Sequence, residues 1–160
     1  MKANSTKISD KKNTGPLSGL RILDLSRILA GPTCTQLLGD YGADIIKVEK
    51  PGSGDDTRAW GPPYAKDENN EDTAESAYYL SSNRNKRSIT LDISKKDGLK
   101  TLKSLLNHSD VLIENFKVGS LAKYGLDYET LSHEYPELIY CSITGFGQTG
   151  PNSHRPGYDL

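Results

Sequence analysis

Cations set beside glycine-rich loops are the residues of this chain best suited to chemistry. Lys50 is followed by Gly52, Gly54, Asp55, Asp56 and Arg58. A cation next to backbone that can approach closely suits the ribose or phosphates of an anionic ligand. The bland alternative is a solvated surface lysine. Asn83-Arg84-Asn85-Lys86-Arg87 forms a second basic group, and Lys117 with Lys123 a third. Each could meet phosphates or be an ordinary charged turn. No aromatic stacking series accompanies them, so one small anionic ligand fits better than a nucleic-acid strand. The turn Leu29-Ala30-Gly31-Pro32 also admits two readings. It brings backbone close to a nucleotide, or it is a plain strand-to-helix connection.

Other motifs carry less. Gly145-Phe146-Gly147-Gln148-Thr149-Gly150 has the spacing of a dinucleotide fingerprint and follows a predicted strand. Pro151 and Pro156 leave no helix start behind it to hold a pyrophosphate, so it reads as a structural turn. His108, His133 and His154 lack metal-ligand spacing, and Asp55 with Asp56 lacks a third ligand, so no metal site is expected. Cys34 and Cys141 read as buried, reduced thiols with no histidine partner. Spacing alone assigns no catalytic residue.

The elements that must position these groups alternate between strand and helix. The 160 residues carry a formal net charge of −1 and are 34% hydrophobic. That length fits one domain, and the charge supplies no field for nucleic acid or an anionic membrane. No apolar run reaches the ~20 residues of a membrane helix. Residues 1–15 are polar and lack a secretory core, and they read as a flexible extension. Strands are predicted at 21–26, 44–49, 87–93, 110–116 and 138–144. Helices are predicted at about 31–41, after Ser94 as N-cap, at 119–124 and at 127–134. Leu99, Leu102, Leu105 and Leu106 give the helix after Ser94 one apolar face. Residues 61–76 read as a mobile, solvent-exposed insertion. The pattern predicts an α/β, Rossmann-like, mostly parallel sheet with helices on both faces and the first four strands at its heart. A ligand then sits beyond the carboxyl ends of the strands.

Several stretches resemble the opening of the family III CoA-transferases, the CaiB/BaiF or formyl-CoA and carnitine-CoA transferase group. They are Pro16-Leu17-Ser18-Gly19-Leu20-Arg21-Ile22-Leu23-Asp24, Leu29-Ala30-Gly31-Pro32 and Leu38-Gly39-Asp40-Tyr41-Gly42-Ala43-Asp44. Further along come Ile46-Lys47-Val48-Glu49, Asn85-Lys86-Arg87-Ser88-Ile89, Asp110-Val111-Leu112-Ile113-Glu114-Asn115-Phe116 and Ser142-Ile143-Thr144-Gly145-Phe146-Gly147. The stretch from Gly54 to Pro63 is most similar to the succinyl-CoA:glutarate branch.

The resemblance implies that residues 16–160 are the N-terminal, CoA-binding domain of that fold, ending before its catalytic segment. CoA contacts would fall at Leu29, Ala30 and Lys50, and at Leu91, Asp92, Ile93 and Ser94. They would continue at Asn115, Phe116, Lys117 and Lys123, and at Tyr158 and Asp159. Lys50 and Lys123 stand where some members carry arginine, which keeps charge but loses bidentate contact. The implied reaction moves CoA between an acyl-CoA, such as succinyl-CoA, and a free carboxylic acid. In the family an aspartate of a later motif attacks the thioester, giving an acyl-aspartyl anhydride and CoA thiolate. Asp159 is not that residue, so the 160-residue chain by itself is expected to be inactive. CoA is the only cofactor implied, as substrate. The family forms interlocked homodimers, and its setting would be cytoplasm or mitochondrial matrix rather than secretion. An α-methylacyl-CoA racemase shares the fold, but its acid/base histidine stands where this chain has Tyr158. A non-catalytic CoA-binding fragment is the reading from another class.

Overall fold

The computed structural model describes residues 14–157. Five parallel strands form one sheet: β1 (Arg21–Asp24), β2 (Asp44–Glu49), β5 (Lys86–Thr90), β6 (Val111–Glu114) and β7 (Ile139–Ser142). Their spatial order is β5-β2-β1-β6-β7. The chain therefore builds outward from β1 in one direction and then the other. That makes the β1/β6 boundary the point where a crevice opens at the carboxyl edge.

The central strands are covered on both sides, which is why they read as near-continuous apolar runs. On one face, Leu23, Leu25, Ile46, Val48 and Leu112 pack with Leu102 and Leu106 of α3 (Lys96–Leu106). Leu131 of α4 (Tyr128–Glu134) joins the same cluster, as do Leu121 and Leu126. The predicted leucine face of α3 is the face that packs. On the other side, Ile22, Ala43, Ile45 and Ile113 meet Cys34 and Leu38 of α1 (Ala30–Asp40). Cys141 lies against this cluster too, and both thiols are free and partly buried. Gly42, at φ 99°, takes the left-handed backbone that turns the chain from α1 into β2.

Three expectations need correction. Residues 61–76 are not a loose insertion. They hold an antiparallel hairpin of β3 (Tyr64–Lys66) and β4 (Asp72–Ser76), followed by α2 (Ala77–Ser81). Ser76 is fully buried and caps α2, accepting from the Tyr79 amide at 3.0 Å. Trp60 and Tyr78 add an edge-to-face ring contact, with centroids 5.3 Å apart. The third strand of the parallel set, β5, lies at an edge rather than at the heart of the sheet. Ser94 does not cap α3, because its amide and hydroxyl both donate to Asp92 Oδ1, at 3.0 and 2.6 Å. That local turn delays the helix to Lys96, with Lys95 as an N-cap residue that forms no side-chain cap.

Candidate functional site

The sheet places the ends of β1, β2 and β5 and the segment after β6 around one cavity of about 360 Å³. Lys50, Leu91, Asp92, Ile93, Ser94 and Phe116 line it, all of them expected ligand contacts. Arg27, Lys47, Gly54 and Asp55 also face it. Apolar walls with a few polar groups at one sheet edge are the ordinary form of a small-molecule pocket.

The remaining expected residues fall differently. Leu29 and Ala30 begin α1 and are not among the lining residues. Lys123 sits outside the lining, with its ammonium 4.8 Å from the centroid of the Tyr124 ring that does face the cavity. The Lys117 carbonyl accepts the Ser120 amide at 3.0 Å, and its side chain is not part of the wall. Asn115 lies at the β1/β6 boundary, where its Oδ1 accepts the Arg27 amide at 2.8 Å. Its Nδ2 donates to the Arg27 carbonyl at 2.7 Å. Tyr158 and Asp159 lie outside the described residues. The basic group at 83–87 disperses instead of converging. Arg84 pairs with Asp40, Arg87 pairs with Asp44, and Lys86 turns inward to Asp24. The turn at 145–150 carries no helix, and the Gly145 and Gly157 backbones approach too closely for a Cβ on either.

Beneath the cavity lies a buried polar layer that sequence reading missed. On the α1 side of the sheet, β2 presents Lys47 and Glu49 where an apolar strand would present aliphatics. Lys47 is 1% exposed. Its Nζ donates to the Ser26 carbonyl at 2.8 Å and lies 2.9 Å from Asp55 Oδ2. The latter is an ion pair without hydrogen-bond alignment, so Oδ2 has charge compensation but no hydrogen bond. Asp55 Oδ1 accepts the Thr57 amide at 3.0 Å, the Thr57 hydroxyl at 2.8 Å and the Ile28 amide at 3.3 Å. Burial opposes ionisation of Asp55, but the Lys47 charge and the Thr57 donors outweigh it and hold its carboxyl below the usual range.

Glu49 is the second centre. Its carboxylate accepts from Arg58 Nε at 2.8 Å and Nη2 at 2.7 Å, from the Ser88 hydroxyl at 2.6 Å and from the Asp55 amide at 2.7 Å. Burial pushes its pKa up, yet the Arg58, Ser88 and Asp55 donors bring it down to about 2. Arg58 also reaches Glu75 at 2.6 Å, and its guanidinium carbon lies 3.7 Å from the Tyr79 ring centroid. The hairpin and α2 thus lock onto the loop after β2 through one guanidinium.

At the neighbouring end of β1, Asp24 Oδ2 accepts the Thr35 hydroxyl at 2.6 Å and the Lys86 ammonium at 3.3 Å. Lys86 Nζ donates as well to the Pro32 carbonyl at 2.8 Å and Asn83 Oδ1 at 2.9 Å. Burial lowers the Lys86 pKa to about 8, with Asp24 opposing. The three carboxylates that line the cavity, Glu49, Asp55 and Asp92, are each tied to a protein partner. Each of the three carboxylates is thus engaged by the protein itself, and none stands free as a nucleophile.

The turn joining β1 to α1 is under backbone strain. Ile28 has φ 71°, a left-handed conformation that a β-branched residue rarely takes. Such a geometry costs about 1–3 kcal/mol and persists only where its surroundings over-determine it.

One further wall residue depends on close backbone approach. A Cβ on Gly98 of α3 would stand 2.1 Å from the Asp92 carbonyl oxygen. Because the obstacle is backbone, no rotamer change relieves it. Gly98→Ala is expected to destabilise by about 1–3 kcal/mol as an overpacking change. It should also displace residues 91–94 from the cavity wall. Urea unfolding checks the first part, and loss of protection at residues 91–94 in hydrogen exchange checks the second. An alanine variant as stable as the parent would show that α3 and this loop separate freely.

Comparison with known proteins adds an independent line. Residues 17–160 match the model of CoA-transferase family III. Succinate–glutarate CoA-transferase of Agrobacterium fabrum is 56% identical over 144 residues, spanning 90% of this chain and 36% of that protein. Human succinyl-CoA:glutarate CoA-transferase is 54% identical over 151 residues, spanning 94% and 33%. A crystal structure of a CaiB/BaiF family protein from Brucella suis matches with TM-score 0.84 and 55% identity, over 91% of this chain and 37% of that one. The chain thus spans about a third of the length of the curated relatives it matches.

Proposed function

The chain belongs to CoA-transferase family III, and we propose that residues 16–160 form the CoA-binding domain of an enzyme moving CoA between an acyl-CoA and a free carboxylic acid. The observation that carries this reading is the cavity at the carboxyl edge of the sheet. It gathers Lys50, residues 91–94 and Phe116 from three separate parts of the chain. Similarity to the succinyl-CoA:glutarate enzymes supports succinyl-CoA as donor and a dicarboxylic acid such as glutarate as acceptor.

In this reading Lys50 meets a phosphate of CoA, and Lys117 and Lys123 supply further positive charge beside the cavity. The apolar wall made by Leu91, Ile93 and Phe116 receives the uncharged part of the ligand. Tyr158 and Asp159 would complete the rim. The nucleophile is an aspartate carboxylate outside residues 1–160. It attacks the thioester carbonyl, the carbon–sulfur bond breaks, and CoA leaves as thiolate while an acyl-aspartyl anhydride forms. The thiolate then attacks the aspartyl carbonyl, which forms an aspartyl-CoA thioester and releases the donor acid. The acceptor carboxylate attacks that thioester, its carbon–sulfur bond breaks, and a second anhydride forms as CoA leaves again as thiolate. The thiolate attacks the acceptor's acyl carbonyl, giving the new acyl-CoA and freeing the aspartate. The working unit is a homodimer in the cytoplasm or the mitochondrial matrix. Among the described residues, no helix is long and apolar enough to cross a membrane.

Isothermal titration of the full chain with CoA tests the reading. Saturable binding is expected, with NAD failing to compete. Loss of a charged hydrogen-bond partner costs about 1.5–3 kcal/mol, so Lys50→Ala should weaken CoA binding about 10- to 150-fold. Unchanged affinity in that variant would remove Lys50 from the site, and a preference for NAD would overturn the assignment.

A further inference from the structure

Four consecutive backbone groups of the β1–α1 turn are each held by a side chain from elsewhere in the fold. The Ser26 carbonyl accepts from Lys47 Nζ at 2.8 Å. The Arg27 amide and carbonyl bond to Asn115 Oδ1 at 2.8 Å and Nδ2 at 2.7 Å. The Ile28 amide donates to Asp55 Oδ1 at 3.3 Å. The anchors come from β2, from the loop after it and from the residue following β6. The Arg27 side chain adds an ion pair to Asp56 at 3.0 Å. At the end of this run stands Ile28, at φ 71°.

We propose that Asn115 is a positioning residue: it clamps the turn so that Ile28 stays in the left-handed region, and thereby fixes Arg27 and the start of α1 beside the cavity. The inference rests on the CoA reading of that cavity. An isoleucine returns to negative φ by rotating the backbone on either side of it. That rotation reorients the Arg27–Ile28 peptide and breaks its bonds to Asn115 and Asp55. The Asn115 amide satisfies both polar groups of one residue, so it cannot turn to a ligand without releasing Arg27. Its influence on the ligand therefore runs through the turn. The strain is the sign of this: a left-handed isoleucine is kept only because the clamp is stronger than the steric penalty.

A double-mutant cycle separates positioning from direct contact. CoA affinity is measured by isothermal titration for the full chain, Ile28→Gly, Asn115→Ala and the double variant. Glycine enters the left-handed region without a clamp. Ile28→Gly is therefore expected to hold CoA affinity within about twofold, whereas Asn115→Ala weakens it about tenfold or more. In the glycine background the same Asn115→Ala change should cost no more than about threefold. Asn115→Asp provides a second cycle should the alanine variant fail to fold. It retains the acceptor for the Arg27 amide and removes the donor to the Arg27 carbonyl, and its loss should also shrink in the glycine background. Equal losses in both backgrounds would mean that Asn115 touches CoA directly and would overturn the proposal. No loss in either would make the clamp purely structural and overturn it as well. A parent chain that takes up no CoA brings down the cavity assignment and this proposal together. A parent that binds CoA without coupling brings down the proposal alone.

Discussion

Lys47→Met is expected to lower the unfolding free energy by about 3–5 kcal/mol, the usual cost of removing one partner of a buried ion pair. Methionine matches the lysine stem in length and packing, so the loss reports the charge and not a cavity. What remains is the Asp55 carboxylate, 1% exposed, with an oxygen that has no hydrogen bond and no cation. The Ser26 carbonyl also loses its donor. Adding Asp55→Asn to Lys47→Met should recover part of the loss, because a neutral amide no longer buries an uncompensated charge. Urea unfolding of both variants measures this. A loss below about 1 kcal/mol, the size of an exposed pair, would mean that water reaches the pair freely.

The sheet was legible because its central strands are rich in Ile, Leu and Val and α3 carries an apolar stripe. Both patterns survive in one sequence. The cavity wall was legible in part, since Lys50 and residues 91–94 stand at strand ends, where an α/β sheet puts its ligands. The polar layer was not. Lys47 and Glu49 alternate with Ile46 and Val48, and that alternation reads as a strand with one wet face. Nothing local shows that Asp55 and Arg58, Tyr79, and Ser88 meet over the same face from three separate segments. The hairpin at 64–76 was hidden for a related reason. Its strands are short and rich in polar residues. Its anchors, Ser76 and the nearby Tyr79, are held by Thr57 and Glu49, partners distant in sequence. Ser94 misled because a serine before a helix has two local partners. The helix amides compete with the carboxylate two residues back, and Asp92 wins here. Asn115 carried a correct address at the carboxyl edge, but its role as a clamp depends on Arg27, 88 residues earlier.

The second large effect is expected at Arg58, where Arg58→Ala should cost about 3–5 kcal/mol at neutral pH and much less in acid. Glu49 is 4% exposed and its folded pKa is about 2, against an ordinary 4.5. A carboxyl with a depressed folded pKa contributes stability that is complete above the unfolded value. That contribution is lost as pH falls from about 4.5 through about 2. Without the guanidinium, Glu49 loses its largest lowering partner and its pKa moves up from about 2, so its contribution shrinks. As pH falls the parent therefore loses more of this contribution than the variant does. The two stability curves should therefore converge as pH drops from 7 toward 3, with the gap widest at neutrality. The Tyr79 hydroxyl also loses its bond to the guanidinium, and that loss displaces the curves in parallel over this range. Urea midpoints at several pH values for parent and Arg58→Ala read the difference directly. A gap that stays constant from pH 7 to pH 3 would show that Arg58 acts by packing against Tyr79 and not by holding the Glu49 charge. Convergence would place the electrostatic anchor of the loop after β2 in this one pair.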